Sequence, residues 1–159
     1  MSSDSFYKEL SYSNDLDYLK NNITNNFSKT EIIGKDILDY GCGIGDASFV
    51  FIEYMPKSIT GIDIGESNID ICNKRSLKRN NITFIREDLN HYKPLPREYD
   101  LVWSDTAIEF LTKDINEILL DFKTCLRSDG VLYLSFTKKT FINVMLYKVL
   151  SFFKKIVPE

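Results

Sequence analysis

Short apolar runs recur along the chain, separated by polar or amphipathic stretches. Residues 37–40, 59–64, 82–85, 99–104 and 131–136 are rich in Ile, Leu, Val and aromatic residues, and each run is too short for a helix. Such runs predict buried strands. The stretch at 47–54 reads as a helix that Pro56 ends. A second helix is expected from Ser67, a good N-cap, to about Arg79, where Asn80 and Asn81 break the pattern. A third begins at Asp114 and runs to about Leu126, with Ile115, Ile118, Leu119 and Phe122 on one face. Pro94 and Pro96 mark an irregular loop, and Ser128, Asp129 and Gly130 a turn. Residues 1–34 are polar, with aromatic interruptions at Phe6, Tyr7, Tyr12, Tyr18 and Phe27. Short helices are expected there near 5–10 and 14–26, the second capped by Asn14 or Asp15, with Gly34 as a stop or turn. A final helix is expected over 141–155.

Alternation of short apolar strands with helices predicts an α/β fold: a doubly wound, Rossmann-like sheet of at least five parallel strands with helices on both faces. The 159 residues suit a single domain. Its parts are an N-terminal helical segment (1–34), a core (36–136) and an apolar C-terminal helix (141–155). Ligands of such sheets bind beyond the carboxyl ends of the strands, at the point where strand order reverses. Chemistry is therefore sought at strand ends.

The first strand end is the most informative. Gly41, Gly43 and Gly45 alternate directly after it, and a helical pattern starts at Asp46. Glycines there let the backbone turn sharply and approach a ligand beside unpaired N–H groups. A dinucleotide fingerprint needs Gly or Ala where Asp46 stands, and a carboxylate there opposes a pyrophosphate. A cationic ligand meets no such objection. The run Leu38, Asp39, Tyr40, Gly41, Cys42, Gly43, Ile44, Gly45 resembles the first motif of class I S-adenosylmethionine (SAM)-dependent methyltransferases, an acidic residue followed by G-x-G-x-G. SAM carries a sulfonium and an amino group, which suits acidic surroundings. The resemblance extends over about residues 36–136. It implies that Asp39, Gly41, Cys42, Gly43 and Gly45 line the cofactor. Members usually add an antiparallel strand pair after the fifth strand, and this chain's pattern lacks one.

Further residues follow at the other strand ends. Asp63 lies about twenty residues beyond Gly43, where a carboxylate accepts from ribose hydroxyls. Asp63 and Ile64 match the family's ribose-binding strand end. By the same resemblance Asp88 accepts from the adenine amino group, with Leu89 on the adenine face. Glu87 takes that role if the strand register slips by one. Ser104 and Asp105 follow the fourth strand, near the sulfonium and the transferred methyl, and Asp105 is the candidate base or substrate orienter. Glu109 matches a Glu of the small-molecule enzymes, but Phe110 stands where many relatives have His, so a base at that position is missing. The alternative for each acid is a solvated strand-end or turn residue. His91, the only histidine, lies in the loop after Asp88, and a lone loop histidine is more often neither ligand nor catalyst. No His/Cys cluster suggests a metal.

Composition narrows the function. A net charge of −3 and the absence of the Asn- or Asp-Pro-Pro-aromatic sequence of base-modifying methyltransferases argue against a nucleic-acid partner and for a small-molecule acceptor. Lys74, Arg75, Lys78 and Arg79 read as a solvated helix end. Three scattered cysteines without a signal peptide predict a reducing, cytoplasmic setting. The stretch 141–155 is apolar almost all round, and the fifth strand has an open edge. A partner subunit or second copy is expected there, with membrane-surface contact the lesser alternative. Two rival readings stand beside methyl transfer: a non-catalytic SAM-fold module or truncated enzyme acting with a partner subunit, and a nicotinamide-dependent oxidoreductase. Asp46 and the lack of a hydride-transfer constellation disfavour the second.

Overall fold

The structure, a computed structural model, describes residues 16–136. Helix α1 is Leu16–Asn26, followed by strand β1 (Asp36–Tyr40), helix α2 (Asp46–Phe51) and strand β2 (Ser58–Asp63). Then come α3 (Glu66–Ser76), β3 (Ile82–Arg86), β4 (Tyr99–Asp105), α4 (Ile115–Cys125) and β5 (Leu126–Ser135). The five strands form one sheet in the order β3-β2-β1-β4-β5, and every neighbouring pair is parallel. Strand order reverses between β1 and β4, which places the switch point beside the glycine loop. The expected helices at 5–10 and 141–155 lie outside the described residues.

Both faces of the sheet are covered, which is why its strands read as nearly continuous apolar runs. One face packs Ile37, Ile59, Leu101 and Trp103 under α1, α2 and α3, through Ile23, Phe51 and Cys72. The other packs Leu38, Tyr40, Ile62 and Val102 against Ile118 and Phe122 of α4. Trp103 is fully buried, stacked on Tyr133 with centroids 3.7 Å apart and met edge-on by Phe51. Helix α1 thus covers the sheet through Ile23 and Phe27, and Asn22 donates to the Tyr133 hydroxyl at 2.8 Å.

Local chemistry moved several boundaries. Helix α3 starts at Glu66, so Ser67 lies inside it, and the helix ends at Ser76 rather than near Arg79. Its N-cap is Gly65, whose N–H goes to Asp63. Helix α2 stops at Phe51 and tightens into a 3-10 turn over Ile52–Tyr54. Asp114 caps α4 as expected, accepting from Asn116 N at 2.8 Å.

The largest departure is at β5, which begins at Leu126 and carries the expected turn residues Ser128–Gly130 as an irregularity in its pairing with β4. The cause lies at the amino ends of the strands. Arg127 reaches from this irregularity to Asp36 (2.9 Å) and Asp100 (2.6 Å). Lys57 and Ser58 also donate to Asp36. This network ties β1, β2, β4 and β5 at the end opposite the glycine loop.

Candidate functional site

The loop after β1 is held from below. Gly41 N and Cys42 N both donate to Ile62 O at 2.9 Å, and Gly45 N donates to Cys42 O at 2.8 Å. Its glycines serve different ends. A Cβ at Gly41 would lie 2.2 Å from Ala107 Cβ, in the segment after β4, so this glycine permits a close approach of two loops. Gly43 has φ +53° and nothing within 4 Å of where a Cβ would be. It is the loop's open position, where the backbone is bare of side chains.

Asp63 fixes that position. One oxygen accepts from Gly43 N at 2.9 Å, and the other from Gly65 N at 2.7 Å and Asn68 Nδ2 at 3.1 Å. The side chain braces the glycine loop against the start of α3, and three of its roughly four lone-pair sites are occupied. Ile64 follows, 45 % exposed, an apolar side chain open beside the carboxylate.

Asp39 is buried one residue before the end of β1 and accepts from Ser48 Oγ at 2.6 Å. Burial pushes its carboxyl up to about 7, the Ser48 bond opposes this, and Asp105 and Asp63 raise it further. Two further carboxylates, Asp63 and Asp105, therefore act on Asp39 at the switch point. None of them pairs with Lys, Arg or His among the described residues. Asp46, by contrast, is paired with Arg75 at 2.7 Å. Its charge is met by that partner, so Asp46 does not stand as the free carboxylate that the sequence alone suggested.

Asp105 closes β4 and accepts from the Ser135 hydroxyl at the end of β5. Burial raises its pKa, the Ser135 bond opposes this, and Glu109 adds to the rise. The next residue, Thr106, has φ +58°, a strained value for a β-branched side chain. Ser104 is fully buried, and among the described residues neither its Oγ nor Trp103 Nε1 finds a hydrogen-bond partner. Cys42 is buried with its thiol directed at Gly43 O, and a hydrogen bond with Cys72, then burial, raise its pKa. That keeps it a protonated packing group rather than a nucleophile.

Asp88 is used locally. It accepts from Asn90 N at 2.9 Å and Asn90 Nδ2 at 3.0 Å, and meets His91 Nδ1 at 2.9 Å. The backbone bond from Asn90, with smaller contributions from His91, outweighs burial and lowers its pKa. Leu89 is buried, 3.6 Å from a Cβ built on Gly41, and its carbonyl accepts from Tyr40 Oη at 2.7 Å. Asn90 then accepts from Thr112 N at 2.8 Å and Lys113 N at 3.2 Å, joining the loops after β3 and β4. Glu87 is exposed, as is Phe110 at 53 %. Glycine loop, Asp39, Asp63, Leu89 and Asp105 thus meet at one end of the sheet, while Ser104 is sealed beneath it. Sequence reasoning missed Asn68, Asn90, Thr106 and Ser135, whose roles depend on contacts across loops. Among the described residues no cluster of three or more His, Cys, Asp or Glu is arranged to hold a metal.

Comparisons with known proteins agree with this geometry. A family described as a methyltransferase domain matches residues 37–130. The malonyl-(acyl-carrier protein) O-methyltransferase of Acetivibrio thermocellus is 33% identical over 101 residues, 63% of this chain and 35% of that protein. The ubiquinone biosynthesis O-methyltransferase of Haemophilus ducreyi is 26% identical over 156 residues, 89% of this chain and 64% of that protein. The chain therefore spans between about a third and two thirds of the length of these relatives. Among solved structures, phosphoethanolamine N-methyltransferase 1 of Haemonchus contortus, in complex with phosphoethanolamine and S-adenosylhomocysteine, superposes with a TM-score of 0.71. It is 25% identical, covering 79% of this chain and 26% of that one. The family's pattern covers more than half of the sequence and begins at the strand that carries the glycine loop, and the chain belongs to the methyltransferase-domain family.

Proposed function

We propose that this chain binds S-adenosylmethionine at the carboxyl ends of β1, β2 and β3 and passes its methyl group to a small-molecule acceptor held beyond β4. One observation carries the reading: Asp39, with Asp63 and Asp105 near enough to act on its carboxyl, has no Lys, Arg or His partner among the described residues, and neither do they, while Asp63 holds the N–H of the open Gly43. Such a site suits a ligand that brings its own positive charge. When bound, S-adenosylmethionine supplies a methyl group already activated by its sulfonium.

The chain's own residues bind and orient. Asp63 holds the ribose with its remaining acceptor capacity, and Ile64 and Leu89 flank the adenine. Asp88 faces the adenine amino group, while the backbone at Gly41, Cys42, Gly43 and Gly45 lies along the cofactor. Asp39 supports the amino-acid end, and Ser104 lies beneath the sulfonium. Asp105 faces the acceptor, orients it and takes its proton. Orientation of this kind lowers barriers by ~7–11 kcal/mol when reacting atoms are aligned. Residues 1–34 cap the site, 36–136 form the core, and 141–155 meet a partner subunit or a second copy; nucleic acid is not the acceptor. Membrane-surface contact by 141–155 is the lesser alternative. Among the described residues no helix is long and apolar enough to cross a membrane. The three cysteines are free thiols, which fits a cytoplasmic setting.

A second reading has its own support. Phe110 replaces a histidine common at that position, which favours a non-catalytic module working beside an active partner. The two readings are separated by incubation with methyl-labelled S-adenosylmethionine and a panel of hydroxyl, amine and carboxylate acceptors. Label transfer that Asp63→Ala abolishes supports catalysis. Cofactor binding without transfer to any acceptor contradicts it.

A further inference from the structure

We infer that Ser135 is the positioning residue for Asp105, holding one carboxylate oxygen so that the other is left as the single proton acceptor for the methyl-accepting molecule. The inference rests on the reading above and adds to it a residue on another strand and a demand on the acceptor.

Three hydrogen bonds set the geometry. Thr106 N donates to Ser135 O at 3.2 Å and to Ser135 Oγ at 3.1 Å. The Ser135 hydroxyl, having accepted there, points its own proton at Asp105 Oδ1. The direction of the hydroxyl is therefore fixed: backbone N–H to Oγ, then Oγ–H to carboxylate. Chains of this kind polarise one another and hold their members still. Asp105 Oδ2 makes no hydrogen bond among the described residues.

A purely structural tie between the ends of β4 and β5 does not need the hydroxyl. The Asp105–Ser135 pairing and the Thr106 N bond to Ser135 O already join them through the main chain. Beyond those main-chain ties the side chain accepts from Thr106 N, meets Tyr133 and gives its own proton to the carboxylate. Thr106 meanwhile keeps φ +58°, a conformation that costs energy and is retained where the backbone N–H has a job.

The groups around Asp105 make the effect legible. Glu109 beyond β4, Asp39 on β1 and Tyr133 on β5 all interact with it electrostatically, and none is cationic. Burial and Glu109 push the carboxyl up, and the Ser135 hydroxyl holds it down. The base form exists above that pKa, so loss of Ser135 moves its appearance to higher pH. A carboxylate so placed serves an acceptor whose nucleophilic atom carries an ionisable proton, such as an acidic hydroxyl. The proton passes from that hydroxyl to Oδ2.

The test follows the Asp105 carboxyl by carbon-detected NMR through a pH titration of the full chain, as wild type, Ser135→Ala, Ser135→Cys and Ser135→Thr. The expected midpoint rises by half a unit or more in Ser135→Ala, rises less in Ser135→Cys, where the thiol is a weaker donor, and returns in Ser135→Thr. S-adenosylhomocysteine affinity, measured on the same samples, stays within about twofold of wild type. An unmoved midpoint in Ser135→Ala and Ser135→Cys, or a Ser135→Thr variant that behaves like Ser135→Ala, overturns the inference. Failure of wild type to bind S-adenosylhomocysteine instead overturns the reading on which it rests, whatever the midpoint does.

Discussion

Gly41 and Gly43 sit in one loop under opposite constraints. At Gly41 a methyl group collides with Ala107, and φ is +81°. At Gly43 the space is open and only the backbone angle objects. Gly41→Ala is expected to destabilise the fold by about 2–4 kcal/mol, the sum of overpacking and a disfavoured φ. Gly43→Ala is expected to cost about 1 kcal/mol and to weaken S-adenosylhomocysteine binding more than tenfold. Urea denaturation and calorimetry on both variants check this; equal stability losses would contradict it. The sequence showed three glycines and one expected role. It did not show that Ala107 would descend on the first of them, because that contact joins residues far apart in the chain. Asp63 was legible as a strand-end acid, but its bonds to Gly43 and Asn68 were not, for the same reason.

Asp39 carries a pH dependence. Its folded pKa, near 7, exceeds the model-compound value of 3.8, so the folded chain binds the extra proton between those limits. Stability contributed by this group is therefore present at low pH and lost as pH rises from about 4 to about 7. A cationic ligand reverses the preference and draws the proton off. S-adenosylmethionine is expected to bind more tightly at pH 7.5 than at pH 6, and Asp39→Asn to flatten that difference while stabilising the free protein at pH 7.5. Calorimetric titrations at the two pH values decide it, and a wild-type affinity that falls with pH would be the contrary result.

At the scale of elements, strand and helix order was readable because both sheet faces are covered and the apolar runs are unbroken. The errors fell where a side chain overrides propensity. Ser67 has the composition of a cap, but Asp63 takes the Gly65 N–H and starts α3 one residue before it. Ser128–Gly130 has the composition of a turn and does interrupt the pairing with β4, but Leu126 pairs ahead of it and Arg127 bonds Asp36 and Asp100, so the strand begins earlier than expected. Asp36 itself shows the balance: burial raises its pKa, while Ser58, Lys57 and Arg127 outweigh that and lower it. Its contribution is therefore present above the ordinary Asp range and lost as pH falls through the lowered value. Because Arg127 is partly exposed, Arg127→Ala is expected to cost only about 1–2 kcal/mol. S-adenosylhomocysteine affinity should stay unchanged, since the network lies at the opposite end of the sheet. Denaturation midpoints paired with titrations test this, and a loss of affinity without loss of stability would contradict it.

At the scale of the molecule, the doubly wound parallel sheet and the family followed from the alternation of runs and one glycine motif, while the strand order and its reversal between β1 and β4 came from the structure. The arrangement of Asp105, Thr106 and Ser135 did not follow from the sequence, because Ser135 is distant in sequence and is brought to the other two only by the parallel pairing of β4 and β5. Calorimetric titration of the chain with S-adenosylhomocysteine, with NAD as competitor, tests the cofactor site most directly. Micromolar binding at one site per chain, weakened at least tenfold by Asp63→Ala and untouched by NAD, is the predicted result. A chain that melts cooperatively yet binds no S-adenosylhomocysteine, or that gives it up to NAD, would contradict the account.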